Sequence, residues 1–165
     1  MTTSVSGKVE VKVSGNLTSS IDLGSNKYSF SESFSQSFAN GTAANQVNAV
    51  FTDERSISGN DDLDLAGGLT DAHGNTLTFT SIKAIMIEAN SANAANLIVG
   101  AEGSNPFGTL FNDNSDAIVV PPGGVFVLTN PAATGFAVTA STGDILRVAP
   151  ASGTLSYKIV LLGEV

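Results

Sequence analysis

Alternation opens the chain. In KVEVKV, Val9, Val11 and Val13 share one parity while Lys8, Glu10 and Lys12 share the other, and strict period two predicts a half-buried strand. Gly15-Asn16 follows and predicts a turn, with NLTSSIDL as the partner strand of a hairpin. The next segment, YSFSESFSQSF, spans 28–38 and sets Tyr28, Phe30, Phe34 and Phe38 on even positions against serine at every odd one. Phe30, Phe34 and Phe38 would also stack four apart on a helix, so spacing alone is ambiguous. Serine decides it, because its side chain competes for backbone hydrogen bonds and favours caps and turns over helix interiors. The prediction is an extended strand with an aromatic face and a serine face.

ANGTAANQ, 39–46, is small and polar and marks a boundary. Beyond it the chain breaks into short apolar or alternating runs: VNAVFTDERSI, DLDLAG, TLTFTSIKAIMIEA, NLIVGA, AIVVPPGGVFVLTNP, GFAVTA, DILRV and TLSYKIVLLG. Gly, Pro, Asn, Asp or Ser punctuates the gaps, as in a sandwich or barrel of short strands. IKAIMIEA is the densest apolar run and is expected as a central strand buried on both faces. In the last run Leu155, Tyr157, Ile159 and Leu161 alternate with Ser156, Lys158 and Val160. PPGG, 121–124, must end a strand, since two prolines remove two donors, and Gly123-Gly124 suits a tight hairpin reversal. ANSANAAN is rich in alanine, but its asparagines and serine favour a loop. The expected fold is all-β: a jelly-roll-like antiparallel β-sandwich over 45–165, preceded by an N-terminal β-hairpin or arm over 1–44.

Composition agrees. Charged residues make up 13% of the chain, about half the usual ~25%. Ser, Thr, Asn, Gly and Ala take their place, which suits a polar β-surface better than helices with Glu and Lys on their wet side. The net charge is −8, and the seven basic residues are scattered from Lys8 to Lys158. They form no patch to neutralise a run of phosphates, so neither direct nucleic acid nor an anionic membrane is an expected partner. With no cysteine there is neither a disulfide framework nor thiolate chemistry. MTTSVSGKVEVKV lacks the apolar core of a signal peptide, and no apolar run approaches the ~20 residues that span a bilayer. A soluble chain, made in a cytoplasm and not exported by the usual signal, is expected.

The most chemically suggestive segment is GNDDLDLAGGLTDAHGN, 59–75, where four aspartates, two asparagines and the single histidine crowd together. A calcium loop of EF-hand type needs glycine at its sixth position and glutamate at its twelfth. Counted from Asn60, those positions hold Leu65 and Asp71, and the pattern fails. The nonapeptide repeat of calcium β-rolls is also missing, and one histidine without cysteine cannot supply a zinc site. A turn at Gly59-Asn60-Asp61, a strand and a second turn at DAHGN account for the segment. Leu63 and Leu65 then point inward, Asp62 and Asp64 point to solvent, and Gly67-Gly68 bends the strand. No G-x-S-x-G elbow surrounds any serine, and no motif points to a glycosidase carboxylate pair. Flat aromatic platforms for sugars are scarce, with no Trp and two Tyr. No catalytic, metal-ligating or cofactor-binding residue is assigned, and no cofactor is expected.

The run ANQVNAVFTDERSISGNDDLDLAGGLTDAHGNTLTFTSIKAIMIEA, with NLIVGAEGSNPFGTLFNDNSDAIVVPPGGVFVLTNP and GDILRVAP, resembles a group of small bacteriophage virion proteins. DLDLAGGLTDAHGN is its most distinctive part, and the resemblance is strongest over 44–165. It implies a structural role, best matched by jelly-roll decoration or cement proteins of phage heads, which are often trimeric. The implied partner is the major capsid protein, and the implied place is the capsid exterior, after synthesis in the bacterial host's cytoplasm. Two alternatives stay open: a head-to-tail connector or tail component, and a carbohydrate-binding virion module that touches the host surface. Apart from the resemblance, the aromatic face of Tyr28, Phe30, Phe34 and Phe38 reads either as that of an ordinary core strand or, as expected here, as an oligomer or capsid interface.

Overall fold

The computed structural model describes residues 4–101 and 103–165. Its first two strands, β1 (Gly7–Ile21) and β2 (Gly24–Asn40), form one long antiparallel hairpin in unbroken register from Gly7↔Phe38 to Ile21↔Gly24. The turn expected at Gly15-Asn16 does not form, and NLTSSIDL does not fold back on KVEVKV. Instead the chain runs straight through Gly15 and reverses at Asp22-Leu23, just before Gly24 at φ +151°. The reason lies across the strand: a Cβ on Gly15 would sit 2.8 Å from the Phe30 ring, so the ring covers the bare backbone. A glycine that weakens a strand alone is tolerated under such a cross-strand aromatic. This register also places the valines of β1 and the aromatics of β2 on one face.

After β3 (Gln46–Val47), which pairs in parallel with the end of β2, eight strands build the body of the molecule. They are β4 (Ala49–Ile57), β5 (Asp61–Asp64), β8 (Ser81–Ala89), β9 (Leu97–Gly100), β10 (Ala117–Val120), β11 (Val125–Thr129), β13 (Ile145–Pro150) and β14 (Leu155–Glu164). One sheet has the order β4-β14-β8-β11 and the other β5-β13-β9-β10. Counted along the chain, the first holds strands one, eight, three and six, and the second holds two, seven, four and five. That interleaving is an eight-stranded antiparallel jelly roll. Short β6 (Leu69–Thr70) and β7 (Thr76–Leu77) pair with each other, and β12 (Phe136–Ala137) extends the first sheet beside β8. No α-helix occurs among the described residues.

The inner faces meet in one core. Phe51, Ile85, Ile87, Ile159 and Leu161 come from the first sheet, and Leu63, Leu97, Val99, Leu146 and Val148 from the second. In β14 the alternation read from the sequence holds, with Leu155, Tyr157, Ile159 and Leu161 all buried. β8 is an inner strand whose 81–85 segment is buried on both faces, while Met86 and Glu88 are half-buried. PPGG is a tight turn, with the Gly124 amide donating to Pro121 O at 2.8 Å and Gly123 at φ +73°. It is not a hairpin, however, because β10 and β11 belong to different sheets. The reversal carries the chain across the sandwich. ANSANAAN is a loop between β8 and β9, as its asparagines suggested.

Candidate interaction surface

The hairpin of β1 and β2 is an arm. At about 3.3 Å per residue its strands reach on the order of 50 Å, far longer than the ordinary strand of five or six residues. Directly opposed residues share a face, so the register fixes two surfaces. One carries Val9, Val11, Val13, Leu17 and Ile21 with Tyr28, Phe30, Phe34 and Phe38. The other carries Lys8, Glu10 and Lys12 with Ser29, Ser31, Ser33, Ser35 and Ser37. Most of the apolar face is open: Val11, Val13, Leu17, Ile21, Tyr28, Phe30 and Phe34 are each between 42% and 67% exposed. Glu32, opposite Val13, is the one charged side chain on that face.

Phe38 departs from the other three aromatics. It is 2% exposed and packs with Val47, Ala84 and Leu162 of its own chain, so it roots the arm and offers nothing to a partner. Gly7 lies flat beside it, where a Cβ would come within 2.6 Å of Leu162. The root is also tied by backbone: Val5 N donates to Asn40 Oδ1 at 2.9 Å, and Ala39 N to Asn45 O at 2.9 Å. Asn45, at φ +59°, donates its own amide to Pro131 O at 2.8 Å. The loop after Pro131 is in turn held by Lys83. This lysine is fully buried, donates to the carbonyls of Ala132 and Ala133, and pairs with Glu164 Oε1 at 3.0 Å. A chain of contacts thus runs from Lys83 through the loop to the root of the arm.

Just beyond the root, residues 8–10 of the arm lie opposite β8, β11 and β14 of the first sheet. A groove of ≈ 310 Å³ opens there, lined by Val9, Met86, Val127, Val160 and Leu162 with Lys8 and Glu10 at its lip. Apolar surface is therefore continuous from the sheet onto the arm.

Each of the four aspartates of the acidic segment is engaged within the chain. Asp61 accepts from Arg55 Nη1 at 2.9 Å and from the Tyr157 hydroxyl at 2.7 Å, while Arg55 Nε reaches Asp53 at 2.9 Å. Burial, reinforced by the bond to Asp61, pushes the Tyr157 phenol far above its ordinary range. Asp62 and Arg147 form a two-point pair at 2.7 and 2.8 Å. Asp64 caps the bend by accepting from Ala66 N at 2.9 Å. Leu63 and Leu65 are buried, as their parity required. Asp71 closes the second turn, accepting from the side chain and backbone amide of Asn75 and from His73 N. Those bonds, the Asn75 side chain first, hold the Asp71 carboxyl below its usual value. Among the described residues no three His, Cys, Asp or Glu side chains gather into a metal-holding group. The partnership of Arg147 with Asp62 was invisible in the sequence, because the two are far apart in the chain and meet only through the pairing of β13 with β5; Arg55 instead lies just before the segment, on β4 of the facing sheet.

Compared with models of known protein families and with curated proteins, the sequence matches none of them. The fold and the surfaces it presents are the grounds for a functional reading.

Proposed function

We propose that the chain is a structural protein of a bacteriophage virion, a capsid decoration or cement protein without an enzymatic step. In this reading it binds the major capsid protein on the outer head surface and stabilises contacts between neighbouring capsomers. The observation that carries the reading is the arm: a long ribbon, rigidly rooted in a jelly roll, whose apolar face its own chain leaves open. Such a surface serves assembly, since contiguous exposed apolar patches mark interaction sites. The net charge of −8 favours an exterior position away from packed genome. A homotrimer would match the three-fold points of an icosahedral shell, closed symmetry being the usual solution for homo-oligomers. Attachment at many equivalent points would make modest single-site affinity sufficient.

Cryo-electron microscopy of the intact virion tests this. Density for the chain on the head exterior at three-fold positions is expected, and particles lacking the protein should assemble but lose DNA at lower temperature. Density confined to the neck or tail would overturn the cement assignment, as would specific glycan binding by the purified protein.

A further inference from the structure

The arm raises two unmet demands, and a single arrangement meets both. The first is apolar area. With an aromatic side chain presenting about 150–250 Å², the exposed residues from Val11 to Phe34 offer roughly 700 Å² per copy, close to the ~800 Å² per partner of a standard interface. The second is the backbone. β1 is an edge strand along its whole length, and β2 is paired on its far side only at Ala39 and Asn40. Long edges of this kind are usually blunted by lysines and other charges, by proline or by bulges, and on β1 the charges Lys8, Glu10 and Lys12 stand near the root, with none from Val13 to Ile21. The arm has no proline, its register has no bulge, and Glu32 is the one charge on its apolar face.

Charge identifies the occupant. Residues 7–40 carry Lys8, Lys12 and Lys27 against Glu10, Asp22 and Glu32, a net of zero, so the whole −8 resides outside the arm. Copies of the sandwich repel one another, while arms can meet without that penalty. We infer that the arm is covered by the arms of further copies of this chain, joined edge to edge in a closed ring. The apolar faces point to the axis and the serine faces point outward. Closure satisfies both demands, because it buries the face and removes the edges. Three copies, the number taken from the functional reading above, place six strands around one axis. The association itself needs no virion.

Light scattering on the full-length purified chain tests it directly. The expected mass is three times that of the single chain, falling to one chain in the double variant Leu17→Asp, Phe34→Asp with the sandwich melting temperature retained. The control Ser31→Asp, Ser33→Asp adds the same charge to the opposite face and should leave the trimer intact. Backbone amides of β1 should exchange at least tenfold more slowly in the trimer than in the monomeric variant. A monomer or dimer at all concentrations, open-ended aggregates, a trimer that survives the apolar-face variant or one that the serine-face variant breaks would each overturn the ring. So would equal amide exchange in the two states. A monomer that still decorates virions would sink this inference and leave the cement reading standing. An arm-dependent trimer absent from virions would do the reverse.

Discussion

The arm and the last strand of the sandwich are written in the same code and meet different fates. β14 alternates Leu155, Tyr157, Ile159 and Leu161 with more polar neighbours, and its apolar half is buried beneath the second sheet. β1 and β2 alternate just as strictly, yet their apolar half is covered only at the root. Alternation therefore specifies that a strand has a face to bury and is silent on what buries it. In the sandwich the chain supplies its own cover; in the arm it does not. The division is visible within four residues, between Phe34, half exposed, and Phe38, enclosed.

Substitutions at matched positions can break or sharpen this contrast. The largest effect is expected at Lys83, which is buried against Glu164 and two loop carbonyls. Lys83→Ala removes a fully buried cation from two loop carbonyls and from the partly exposed Glu164 carboxylate, and should lower unfolding stability by up to about 3 kcal/mol. It should also speed hydrogen exchange at the Asn45 amide, which leans on the same loop; an unchanged rate there would separate the lysine from the arm's root. Next is the pair Phe38→Ala and Phe34→Ala. Removing Phe38 should cost about 3 kcal/mol in chemical unfolding of the single chain. Removing Phe34 should leave that unfolding unchanged and weaken only self-association. Equal losses would mean that the two phenylalanines do not divide root from surface.

A smaller effect is expected inside the sandwich from Tyr157→Phe. It removes the hydroxyl's bond to Asp61 and should cost about 1.5–3 kcal/mol, as for hydrogen bonds to charged groups. The pH dependence has a definite sign. The fold raises the pKa of this phenol, so the contribution is fully present below the ordinary tyrosine value near 10 and is lost as pH rises above it. Stability of the native chain should thus fall more steeply in alkali than that of Tyr157→Phe, as unfolding curves at several pH values would show. The smallest effects belong to the acidic segment. His73→Ala or a chelator should not shift the melting temperature, and a fall of more than about 10 °C with chelator would reveal a tight metal site. The fold lowers the pKa of Asp71, so its contribution is present above the usual carboxylate range and fades as pH falls through the depressed value. In Asp71→Ala that slight acid sensitivity should disappear.

Legibility followed the range of the interactions. Strand runs, inward leucines and the two turns around DLDLAG could be read because parity and turn chemistry are local properties. Gly15-Asn16 misled for the same reason: its local turn signal was outweighed by the Phe30 ring on the facing strand, fifteen residues from Gly15 in the chain. PPGG announced a reversal but not that the chain changes sheets there, since sheet membership is decided by the partners of β10 and β11. The interface candidates divided likewise. Tyr28, Phe30 and Phe34 lie on the open face that their parity suggested, whereas the burial of Phe38 depends on Ala84 and Leu162, which no local pattern connects to it.

By itself, the sequence determined the all-β class, which residues of each strand share a face, and that one segment carries an aromatic face opposite a serine face. Those are consequences of two-residue periodicity and of backbone preferences, both set within a few positions. Tertiary structure alone decided the length of the arm, the interleaved order of the eight strands, the pairing of Arg147 with Asp62, and the placement of Lys83 beneath the arm's root. Each depends on which distant strands become neighbours, and that is settled only when the two sheets close over one core.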